Sequence, residues 1–138
     1  MVCRAGARST FIAAMGPRDF RRMALAMEGA VEGTHMGHPD FRVRNRIFAT
    51  LHSDDLFGMV ALTPDQQLRF IGDDPNSFTP ESGAWGRAGS TRVRLAAADR
   101  EAVDEALTLA WQNVINKREA KRSKPSRSGS SARRQDRR

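Results

Sequence analysis

Apolar residues recur along this chain in blocks of two different periods. Phe20, Met23, Ala24, Met27 and Val31 fall at i, i+3, i+4, i+7 and i+11. That spacing makes one face of an α-helix, with Arg21, Arg22 and Glu28 opposite. Pro17 suits a first helical position and Asp19 an N-terminal turn, so a helix is expected from Pro17 until Gly33 stops it. After the turn-rich GTHMGHPD stretch the period becomes two. Phe41 and Val43 alternate with Arg42 and Arg44, Asn45 accepts a tight turn, and Ile47, Ala49 and Leu51 resume the alternation. Residues 40–52 therefore read as a β-hairpin. A turn at Asp54 and Asp55 precedes a more buried strand over 56–62.

Thr63-Pro64-Asp65-Gln66 is a helix start: threonine caps, proline takes the first position, and Gln66 can return a bond to the cap. Leu68 and Ile71 are expected to face inward, and Gly72 to close the helix. A Gly/Ser/Pro-rich loop follows, then a strand over 91–95 in which Val93 and Leu95 alternate with Arg92 and Arg94. The last helix carries a stripe of Val103, Ala106, Leu107, Ala110, Trp111 and Val114. Acids load its first turns and Lys117 and Arg118 its end, which matches the helix dipole. The predicted order α-β-β-β-α-β(-β)-α describes a two-layer α+β domain, with one mainly antiparallel sheet packed on helices.

Several of these strings, GHPDFRVRNRIFATL, LTPDQQLRFIGDDPNSF, WGRAGSTRVRL and AWQNVINK, occur in the order found in MmcQ/YjbR-like proteins, which the chain resembles from Pro17 to Lys117. The resemblance implies the same element order, a double-wing fold likened to secretion chaperones. It also implies DNA binding, and it supplies no catalytic residues. Relatives usually carry Gly-Gly-Lys or Arg-Gly-Lys before the Phe-Ala strand, where this chain has Arg44-Asn45-Arg46. Arg46 keeps the cation, and Asn45 tolerates a positive φ.

Charge divides the 138 residues unevenly. Residues 117–138 hold 10 Lys or Arg against two acids, a balance of +8, whereas the preceding 116 hold 13 Arg against 14 acids, a balance of −1. The net charge of +7 thus belongs to the end of the chain. Residues 118–138 are expected to be a disordered basic tail, too poor in apolar groups to offset chain entropy. It lies outside the shared family pattern. Residues 1–16 read as a disordered lead-in, with Met15 an alternative natural start, leaving 17–117 as the domain. The apolar run 11–15 is shorter than the ~7–15 residues of a secretory leader. A single cysteine, Cys3, suits a reducing compartment, so a cytoplasmic location without membrane insertion is expected.

The arginines are the leading candidates for chemistry. Arg42, Arg44, Arg92 and Arg94 are expected to share the uncovered sheet face, with Arg46 and Arg87 at its edge, because guanidinium groups pair well with phosphate. The plain alternative is a solvated outer face. In the tail, Lys121, Arg122, Lys124, Arg127, Arg133 and Arg134 would add sequence-independent attraction to nucleic acid through phosphate. The tail has no aromatic residue for stacking bases. His38, Trp85 and Arg87 could line a small pocket, although packing is the simpler reading of a tryptophan. That pocket and the chaperone-like topology support the alternative function, a protein-interaction or small-ligand module. No metal is expected, since His35 and His38, beside Glu32 and Asp40, lack a second ligand pair. Gly83, Gly86 and Gly89 precede a strand, unlike a phosphate loop. With no GxSxG and no Cys–His arrangement on ordered structure, neither catalytic residues nor a cofactor is expected.

Overall fold

The computed structural model describes residues 15–122. Its elements are α1 (Pro17–Leu25), β1 (Val31–His35), β2 (His38–Val43), β3 (Arg46–Leu51), β4 (Phe57–Ala61), α2 (Pro64–Asp73), β5 (Phe78–Pro80), α3 (Gly83–Arg87), β6 (Ser90–Arg94) and α4 (Arg100–Arg122). The six strands form one sheet in the order β1-β2-β3-β4-β6-β5, and every neighbouring pair is antiparallel. Helices α1 and α4 pack on one face of β3 and β4, and α2 lies against β5 and β6. The expected two-layer α+β architecture is therefore present.

The predicted caps form. The Thr63 hydroxyl accepts from the Gln66 N–H at 3.2 Å, and the Gln66 side chain accepts from the Thr63 N–H at 2.9 Å. At α1 the Asp19 carboxylate accepts from the Gly16 N–H at 3.0 Å. The stripe on α4 buries Val103, Ala106, Leu107, Ala110 and Val114 against Phe41, Phe48, Leu51 and Val60 of the sheet. Burying each Val, Leu or Phe of this seam is worth roughly 1.5–3 kcal/mol, and the two alanines let the layers approach closely.

Four expectations are corrected. First, the opening helix stops at Leu25, and Val31, placed on its apolar face by spacing, sits 58% exposed in edge strand β1. Gly29 takes a positive φ of 76°, and the residues beyond it pair with β2, so sheet hydrogen bonds replace two expected helical turns. Second, β3 carries a bulge. Phe41 pairs with Ala49 and Arg42 with Ile47, which leaves Phe48 over. Phe48 and Ala49 are both buried, and Ile47 is carried to the opposite face, beside Arg42. Third, Leu68 is 68% exposed while Gln67 and Phe70 turn inward. Fourth, the loop before β6 contains the short helix α3. Helix α4 also runs to Arg122, through the start of the expected tail.

Candidate nucleic-acid interface

The face of the sheet turned away from α1 and α4 carries the arginines of β2 and β6 beside the apolar Phe57 and Met59 of β4. Cross-strand register aligns Asp40, Thr50, Met59, Arg92 and Thr79 in one row. Arg42, two residues from Asp40, shares this side. So does Arg94, opposite Phe57. A groove of about 1080 Å³ runs along this face. Met59, Thr50 and Ile47 lie along it with Arg42 and Arg46, Trp85 and Ser82 form a wall, and Lys117 of α4 closes one end.

Two carboxylates organise the cations. Asp40 is fully buried and binds Arg42 through both oxygens, at 2.8 Å to Nε and 3.1 Å to Nη2. These bonds and the adjacent negative charge raise the Arg42 pKa further, so the guanidinium is always charged. Glu81 bridges two groups, accepting from Arg92 Nη2 at 3.1 Å and lying 2.8 Å from His52 Nε2. Arg92 and Arg94 also stand over the Phe57 ring, at 5.3 and 5.8 Å from its centroid. With Arg42, Arg46, Arg92 and Arg94 against Asp40 and Glu81, the face carries a balance of +2 before Lys117 is added. Most carboxylates of the described residues, Asp65, Asp99, Glu101, Asp104 and Glu105 among them, belong instead to α2, α4 and their caps. The sheet face therefore holds more cations than carboxylates, while acids gather at the first turns of α4 and at both ends of α2.

Arg44 does not join this face. It and Asn45 are the central residues of a two-residue turn, with φ values of 53° and 67°, and Val43 pairs with Arg46 across it. Such a turn ends the strand alternation that would have aimed Arg44 outward. Arg44 instead lines a small cavity of about 280 Å³ with Glu28, Trp111 and Ile115. Arg87 is exposed on α3 and does not line the large groove, whereas His38 and Trp85 do. Of the expected pocket trio, two members come together. The Nδ1 atom of His38 is buried without a hydrogen-bond partner among the described residues.

Trp85 is 73% exposed, contrary to the expectation that it packs. The glycine series explains its position. A Cβ on Gly86 would stand 1.7 Å from the Glu81 carbonyl oxygen, and one on Gly89, whose φ is 117°, would stand 2.0 Å from the Leu62 oxygen. Only glycine lets α3 lie this close to the neighbouring backbone. Buried Gln67 then ties α3 down, its Nε2 donating to the carbonyls of Gly86 and Ser90 at 3.0 Å each. The indole one residue before Gly86 is left standing on the groove wall.

Asp40, His52 and Glu81 were missed as site residues. The i, i+2 spacing of Asp40 and Arg42 on a strand signals their pairing. The separation of 29 positions between His52 and Glu81 gives no such signal. Lys121 and Arg122 fall within α4, and Lys124, Arg127, Arg133 and Arg134 lie outside the described residues, as does the lead-in up to residue 14. Among the described residues, no group of three His, Cys, Asp or Glu is placed to hold a metal. No helix among them is long and apolar enough to cross a membrane.

No curated protein matches the chain. Its fold is similar to the crystal structure of Deinococcus radiodurans protein DR2400, a DUF419 domain, with a TM-score of 0.67 and 18% identity over 87% of this chain and 97% of that one. The YjbR family model matches residues 25–113, from the end of α1 through most of α4, and the chain belongs to the YjbR family.

Proposed function

We propose that the protein is a non-catalytic, cytoplasmic nucleic-acid-binding module. It holds phosphate on its open sheet face and gains further affinity from its basic C-terminal segment. One observation carries this reading: the cations Arg42, Arg46, Arg92 and Arg94 flank the groove face, and Lys117 stands at the end from which the basic segment departs. A cation-rich concave surface attracts polyanions and releases their counterions. The pairing of Arg42 and Arg92 with carboxylates lowers the net attraction, so exposed Arg46 and Arg94 contribute most from the body.

Fluorescence anisotropy on a labelled oligonucleotide, at several salt concentrations, tests this. Truncation after Arg122 removes six Lys or Arg and should flatten the slope of log K against log salt by up to about five. Charge reversal at Arg46 and Arg94 together should abolish what remains. An unchanged slope refutes the role of the basic segment; residual binding indifferent to both reversals refutes that of the face. A second reading, a groove that seats a protein segment or a small ligand, draws on the apolar wall at Trp85 and Met36, which is 82% exposed. It predicts that removing these side chains matters and that salt does not.

A further inference from the structure

The exposed tryptophan has no role in phosphate binding, yet the fold spends two close glycine contacts and a buried glutamine on presenting it. We infer that Trp85 is a base-stacking platform and that the groove selects single-stranded over double-stranded nucleic acid. This rests on the phosphate-binding reading above and names its substrate class.

An indole face offers each base a stacking partner regardless of sequence, provided the base is not already stacked on its neighbours. In a duplex both faces of every interior base are occupied, so Trp85 would have nothing to receive. In a single strand the backbone can follow the guanidinium groups of Arg42 and Arg46 while a base turns against the wall. The walls suit that division: charge sits on Arg42, Arg46 and Lys117, whereas Met59, Ile47 and Ala88 offer uncharged surface to a base. The platform is also preorganised. Gly86 lies against the Glu81 backbone and is tied to Gln67, so a ligand need not order α3 on arrival. Trp111, the other tryptophan, donates its Nε1–H to the Glu28 carbonyl at 2.8 Å by the helix layer and lines the separate small cavity.

The test compares full-length protein, Trp85→Ala and Trp85→Phe on three labelled probes of equal length: oligo-dT, a DNA duplex, and an abasic single strand. The unsubstituted protein is expected to bind oligo-dT more tightly than either other probe, with quenching of tryptophan emission. Trp85→Ala should lose about tenfold on oligo-dT, the stacking of roughly one base, and lose the quenching. Its binding to duplex and abasic strand should stay within twofold, and Trp85→Phe should keep most of the affinity. Binding of all three probes with no effect of Trp85→Ala would overturn the stacking inference and leave the phosphate reading standing. Failure of the unsubstituted protein to bind any probe would overturn both. Because Trp85 is exposed, thermal unfolding of Trp85→Ala should match that of the parent, which separates lost stacking from lost fold.

Discussion

Replacing Gly86 by alanine adds one methyl group at the most crowded backbone contact of the site. Gly86 has no unusual φ, so the cost comes from space alone. The new Cβ would stand 1.7 Å from the Glu81 carbonyl oxygen and 2.8 Å from its carbon, and backbone cannot rotate aside as a side chain can. Forcing such a shift costs about 1–3 kcal/mol, and this contact belongs at the upper end. Displacing α3 also loosens the buried Gln67–Gly86 bond, worth about 1 kcal/mol. Alanine's better helix propensity returns about 1 kcal/mol at most. The net loss is about 2–4 kcal/mol, a fall in Tm of roughly 8–20 °C for a body of this size. Glu81 holds His52 and Arg92, so Trp85 emission and nucleic-acid affinity should change as well. Gly72→Ala is the control: nothing lies within 4 Å of its Cβ, and it should gain about 0.5 kcal/mol. Calorimetry of both variants decides the matter. A Gly86→Ala protein that melts within about 2 °C of its parent refutes the close docking of α3.

Three further outcomes follow from the charges. Arg42→Ala should destabilise by about 3 kcal/mol in urea titration, because it strips both bonds from the fully buried Asp40 carboxylate, whereas exposed Arg46→Ala should stay within about 0.5 kcal/mol. Glu81→Gln removes the negative partner of Arg92 while keeping its shape; oligonucleotide affinity should rise and the salt slope steepen by about one, read by anisotropy. The Gly16 backbone N–H bond, followed by the charges of Arg100 and Arg22, lowers the Asp19 pKa below its ordinary value. Its stabilising effect is therefore complete above the unfolded carboxylate value of about 4 and is lost as pH falls through the lower folded value. Asp19→Asn should accordingly melt lower than the parent at neutral pH, and the gap should close in strong acid.

Features that depend on neighbours along the chain are legible in the residues alone. The Thr63–Gln66 cap, the apolar stripe of α4, the alternation in β2 and β6 and the turn at Asn45 rest on contacts two to four residues apart, so a local pattern states them fully. The remaining features turned on which distant backbone came within reach in the folded chain. Spacing carried the first helix past Gly29 until β2 offered residues 31–35 its hydrogen bonds, and one leftover residue at Phe48 moved Ile47 to the open face while Ala49 and Leu51 stayed in the core. The site followed the same rule. Arg42 and Arg92 reached the open face by alternation, but only the partner of Arg92 depended on folding. Asp40 lay two residues from Arg42, while Glu81 met His52 only because β3, β4 and β6 lie side by side. Trp85 stayed in solvent because the Glu81 and Leu62 carbonyls fixed α3 and its flank in place through glycines, and no periodicity encodes a contact between backbones far apart in the chain.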